Sequence, residues 1–222
     1  MPINENTVSA ENQMINSSEL YYLGNEHAGT RILVVGNSMT RHGPKKDIGW
    51  EYDWGMAASS SEKDFVHRLF SMLNKDGRDV YMRVRHCSFW ETYFVDEDVL
   101  SNYDDDRAFR ANIVIYRLGE NVAGRDEPFF KKNAEKFIRH ISGNGKVIMT
   151  TCFWKNEIVD DGIRSIAKEN GYPLVELGDL GDDPEMKATG LFSHSGVAAH
   201  PGDKGMEEIA ERIFKKIKEA EL

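Results

Sequence analysis

The sequence predicts a doubly wound α/β domain: a mostly parallel five-stranded sheet with helices on both faces, in a three-layer α/β/α arrangement. Three observations predict it. Short, strongly apolar runs recur along the chain. The segments between them carry apolar residues at helical spacing. The 222 residues suffice for one domain with a full core but not comfortably for two. Strand and helix in alternation imply right-handed crossovers, hence parallel pairing with helices above and below.

Residues 1–29 read as an N-terminal extension, set apart from a domain at 30–222. Within the extension, "ELYYLG" suits an edge strand or a segment packed across the sheet. The first twenty residues are polar and acidic, without the basic and apolar regions of a secretory signal. The chain also lacks the run of about 18 apolar residues that a membrane span needs, so the expected location is the cytoplasm. Strands are expected at 31–36, 80–89, 112–118, 146–153 and 173–177.

In "SEKDFVHRLFSMLNKDG", Phe65, Val66, Leu69, Phe70 and Leu73 share one helical face, with Ser61 as N-cap and Gly77 as stop. Pro128 suits the first turn of a helix lined by Phe130, Ala134, Phe137, Ile138 and Ile141. A further helix ends at Gly171, and the last spans 203–220. "NYDDDRAFRAN" reads as a solvated loop, since three successive Asp side chains do not converge on one metal ion. Cys87 and Cys152, in strand-like segments, read as buried free thiols. A formal charge of −9 disfavours nucleic acid and anionic membranes as partners.

Ligands of such sheets sit at the carboxyl ends of the strands, near the switch in strand order. After the first expected strand come Gly36, Asn37 and Ser38. A hydroxyl on a tight turn is a nucleophile if a base takes its proton, and the same serine equally suits a helix N-cap. After the third come Gly119 and Asn121, where an amide can donate to a developing oxyanion or simply shape a turn. Before the last helix comes His200, followed by Pro201; imidazole suits a general base at neutral pH. His194 is its rival in the same loop, and His42 lies near enough to Ser38 to touch substrate. The first turn has neither a G-x-G-x-x-G pattern nor a phosphate-binding lysine, against a nucleotide site.

Together, "GNS", "GEN" and "HP" resemble the SGNH, or GDSL-like, hydrolase superfamily over the layout from Arg31 onward. The resemblance implies Ser38 as nucleophile and His200 as base, an oxyanion hole from Asn121, Gly119 and the Ser38 N–H, and no metal or cofactor. It implies a serine esterase acting on a small acyl ester, most simply acetyl, on a small molecule or carbohydrate. The alternatives are transfer of the acyl group to an acceptor alcohol, and a weakly active binding domain.

Two departures matter. The family's acid three positions before the histidine is Val197 here, so a backbone carbonyl or another acid, with Glu91, Asp203, Asp183 and Glu120 as candidates, has to orient His200. The family's glycine after the second strand is missing, leaving the Phe89 or Trp90 N–H to serve; Gly55 is a further candidate to line the site. Trp90 and Glu91, beside both turns in a sheet of order 2-1-3-4-5, suit substrate binding or orientation of His200. Their alternative is core cover for Trp90 and an ion pair of Glu91 with Arg41 or Arg117. Trp50, Trp54 and Trp154 would extend an aromatic rim.

Overall fold

The computed structural model describes residues 20–222. Six strands, β1 (Leu20–Gly24), β2 (Thr30–Gly36), β3 (Val80–His86), β4 (Ile113–Arg117), β5 (Lys146–Thr150) and β6 (Leu174–Val175), form one sheet of order β1-β3-β2-β4-β5-β6. The five parallel strands are those expected, in the expected order. The sixth is a correction to the strand count: β1 pairs antiparallel with β3, Leu20 opposite Arg85 and Gly24 opposite Tyr81. Leu20–Gly24, within "ELYYLG", is thus an edge strand, and Tyr22 stacks on Tyr81 at 5.2 Å. Residues 1–19 of the N-terminal extension lie outside the described residues.

The described helices are α1 (Phe65–Lys75), α2 (Ser88–Tyr93), α3 (Asp104–Ala108), α4 (Glu127–Ser142), α5 (Glu157–Asn170), α6 (Gly178–Asp182), α7 (Ser195–Ala198) and α8 (Asp203–Glu219), with short 3-10 turns between some of them. Strand β2 shows why there are two layers. Its period-two alternation sends Ile32 and Val34 towards α1 and α8, and Leu33 and Val35 towards α4 and α5. All four side chains are fully buried. No helix among the described residues is long and apolar enough to cross a membrane.

Helix α1 starts later than expected. Ser61 opens a 3-10 turn, and the N-cap is Asp64, whose carboxylate accepts from the His67 N–H at 2.8 Å and from the Gly55 N–H at 3.1 Å. Asp64→Ala is therefore expected to lower unfolding free energy by about 1–2 kcal/mol and Ser61→Ala by a few tenths, compared by urea denaturation.

The acidic segment is not a solvated loop. It forms α3, and Asp106 is fully buried on β3, 2.7 Å from Arg83 and 3.5 Å from Arg85. Arg83 and Arg85 lie two apart and share a strand face, so one carboxylate serves both.

Candidate active site

The loops after β2 and β4 and the segment before α8 meet at the carboxyl edge of the sheet. Strand β2 stops at Gly36 because the chain folds back on itself there: a Cβ would lie 1.8 Å from Thr40 Oγ1. The Thr40 and Arg41 amides close the turn on the Asn37 carbonyl, at 2.9 and 3.1 Å. Ser38 therefore sits on an isolated turn and caps no helix. The Ser38 N–H donates to no acceptor among the described residues. Gly55, whose absent side chain admits the Met39 carbonyl, packs behind this turn, and the Met56 N–H fixes it by donating to the Ser38 carbonyl at 2.8 Å.

Ser38 Oγ lies 2.8 Å from His200 Nε2. On the other side of the ring, His200 Nδ1 lies 2.6 Å from the Gly196 carbonyl. A carbonyl only accepts, so Nδ1 carries the proton and Nε2 presents its lone pair to the serine hydroxyl. Burial holds His200 down at about 3; the Gly196 bond opposes this, while His42, Arg117 and His194 add to it. The imidazole is neutral across the ordinary pH range.

None of the four acids expected near His200 reaches it. Asp203 binds Lys63 and Ser59, and Asp183 caps a 3-10 turn. Glu120 pairs with Arg117, and Glu91 binds the turns at 36–38 and 119–121. Val197 is instead buried with Trp50, Met56, Ala57 and Ala188. The rival His194 is the N-cap of α7, its Nδ1 accepting from the Val197 N–H at 3.3 Å.

A pocket of about 190 Å³ opens over this pair, lined by Ser38, His42, Met56, His86, Ser88, Asn121, Trp154, Gly196, Ala199 and His200. Asn121 reaches the pocket as expected. Gly119 does not: its N–H is spent on Glu91 Oε1 at 2.6 Å. It keeps a structural reason, with φ at +144° and a virtual Cβ 2.7 Å from Val159. Trp90 is also corrected. It is fully buried, stacked on Phe137 at 4.7 Å, because β3 ends at His86 and α2 turns its ring into the core.

Neither Phe89 nor Trp90, whose N–H was expected to serve the oxyanion, lines the pocket; His86 and Ser88 do. The aromatic rim reduces to Trp154, whose ring stands edge-on to His200 at 4.9 Å. Trp50 is buried and Trp54 packs outside the pocket. Sequence reasoning missed Met56, His86, Ser88, Gly196 and Ala199. Of these, only His86 carried a signal, as the last residue of the strand beside β2, level with Gly36.

Behind the pocket lies a buried polar network. Asn37 Nδ2 donates to Glu120 Oε2 at 2.6 Å and to Glu91 Oε1 at 3.2 Å, while its Oδ1 accepts from Arg117 at 2.9 Å. Glu120 also accepts from the Phe153 N–H at 3.0 Å. Cys87 and Cys152 are free and buried, and burial raises both thiols well above their ordinary range, so neither is a ready nucleophile.

No family model matches the chain, and no curated protein matches its sequence. Solved structures do. The psychrotrophic esterase EstA from Pseudoalteromonas superposes with a TM-score of 0.58 at 12% identity, over 86% of this chain and 98% of that one. A member of the lipolytic G-D-S-L family from Veillonella parvula gives 0.56 at 15%, over 84% and 97%. A family two carbohydrate esterase from Cellvibrio japonicus gives 0.55 at 13%, over 86% of this chain and 61% of that one. The sheet order, the turn after β2 and these superpositions agree: the chain has the fold of the SGNH, or GDSL-like, hydrolases.

Proposed function

We propose that the protein is a serine ester hydrolase. The observation that carries this reading is the 2.8 Å contact of Ser38 Oγ with the Nε2 of a neutral, carbonyl-oriented His200 inside a pocket. His200 takes the hydroxyl proton as Ser38 attacks the acyl carbon. The Ser38 N–H and the Asn121 side-chain N–H face the oxyanion. The imidazolium returns the proton to the leaving alcohol, and water, activated by the same imidazole, then releases the acid.

The pocket holds about six waters' worth of volume at ~30 Å³ each. This suits a short acyl group, acetyl in the simplest case. Trp154 at the rim offers an apolar face to the alcohol part, which suits a carbohydrate ester. The names of the superposed esterases agree with ester chemistry.

The test is labelling with a fluorophosphonate probe, with the adduct located by mass spectrometry, beside turnover of 4-nitrophenyl acetate and of an octanoate analogue. A Ser38 adduct and turnover of acetate well above octanoate are expected. An inert wild type would overturn the esterase reading, and octanoate preference the short-acyl one.

A further inference from the structure

The turn bearing Asn121 has one long backbone bond of its own, from the Val122 N–H to the Gly119 carbonyl at 3.3 Å, and is otherwise held by a side chain. Four donors converge on one buried carboxylate, that of Glu91: the Gly119 N–H at 2.6 Å and, at longer range, the Asn37 Nδ2 at 3.2 Å and the Asn121 N–H at 3.4 Å on Oε1, with Asn121 Nδ2 at 2.7 Å on Oε2. Glu91 is 1% exposed, and among the described residues no lysine or arginine forms an ion pair with it. Arg117, the nearest guanidinium of the network, is spent on Glu120 and Asn37.

Desolvating a carboxylate in this way is costly, and in return it fixes the Asn121 amide: one hydrogen on Glu91, the other left for the pocket. Asn37 completes the arrangement. Its amide lies between two carboxylates, Glu91 and Glu120, and donates to both. The amide suits this place because an aspartate would set a third negative charge there and lose both donors.

We infer that Glu91 is the positioning residue of the oxyanion hole, acting with Asn37 as a bracket that ties the serine turn at 36–38 to the asparagine turn at 119–121. The assignment rests on the esterase reading above. It predicts a pH signature. Burial and the Glu120 charge push the Glu91 carboxyl up to about 7, against the bonds from Asn121, Gly119 and Asn37.

The other groups facing the network are Arg117, Cys87 ahead of α2, Tyr116 on β4, and Cys152, which faces Glu120. Both thiols and the phenol are held neutral by burial. Protonating Glu91 as pH falls replaces an acceptor with a donor and frees one of the oxyanion-side donors. His200, neutral down to about 3, does not titrate in that window.

The experiment measures kcat and KM on 4-nitrophenyl acetate from about pH 5 to 9 for wild type, Glu91→Gln and Asn37→Asp. In parallel, NMR follows the Gly119 backbone and Asn121 side-chain amide resonances. Wild-type kcat is expected to fall below about pH 7 with both resonances titrating together. Glu91→Gln should lose about 10²–10³-fold in kcat with little change in KM, lose the acid limb and leave the resonances flat. Asn37→Asp, by adding negative charge, should move the limb to higher pH.

An acid limb unchanged in Glu91→Gln, wild-type kcat in that variant, or wild-type resonances that do not titrate would each overturn the assignment. Should Glu91→Gln fail to fold, the wild-type resonances and the direction of the Asn37→Asp shift decide. A wild type whose resonances titrate but which neither labels nor hydrolyses ester supports the bracket and overturns only the esterase reading.

Discussion

His200→Ala lowers kcat on an activated acetyl ester by about 10⁴-fold or more, and Ser38→Ala does the same. The double variant is no worse than either single one, because nucleophile and base act as a unit and removing one leaves the other idle. The structural cost should be small for Ser38, a half-buried side chain at a pocket wall, and larger for the buried His200. Circular dichroism and urea unfolding therefore accompany the kinetics.

Fluorophosphonate labelling separates the roles. Ser38→Ala removes the atom that is labelled, while His200→Ala leaves a serine that reacts slowly and more readily as pH rises. The wild-type profile carries its own information. With His200 held near 3 by burial, an acid limb close to the ordinary histidine range is not the base losing its lone pair. Labelling that persists in Ser38→Ala would remove Ser38 as nucleophile.

Much of this is legible in the sequence. The apolar run before Gly36 is a strand buried on both faces, and such strands read as continuous hydrophobic stretches. The turns after β2 and β4 and the segment before α8 are short and local, so Ser38, Asn121 and His200 could be marked as candidates by position, and only their combination, through the resemblance, gave them roles.

What could not be read was what held them. Val80 to His86 mixes apolar and basic residues and runs without a break into "CSFWE", so the point where β3 yields to α2 is invisible in composition. That point sends Trp90 into the core and Glu91 under the active-site turns. Asp106 was hidden in the same way: among three successive aspartates, only helix phase picks the one that faces Arg83. Its signal lay elsewhere, in two arginines on one face of a buried strand. The Gly196 carbonyl left no trace at all, since every residue has one and only the turn geometry before His200 aims this one at Nδ1.

The position that most clearly departs from the family pattern supplies the last test. Val197→Asp restores the acid three residues before the histidine, and the simple expectation is a faster enzyme. The structure argues for the opposite. The Val197 side chain is fully buried against Trp50, Met56 and Ala188, and Nδ1 already has a short partner in Gly196. An aspartate there is a carboxylate in an apolar cluster, so the variant should lose about 3 kcal/mol or more of stability without gaining kcat.

The loss has a direction in pH. Burial raises the folded-state pKa of such an acid above its unfolded value near 4. Its penalty is therefore smallest in acid and grows as pH rises, until the folded-state carboxyl itself ionises. Urea unfolding of variant and wild type at about pH 5 and pH 8 should show the gap widening at the higher pH. If Val197→Asp is instead as stable as wild type and turns ester over tenfold faster, the carboxylate has displaced the Gly196 carbonyl. Carbonyl orientation of His200 would then be a limitation of this site, and not the arrangement its packing was built to keep.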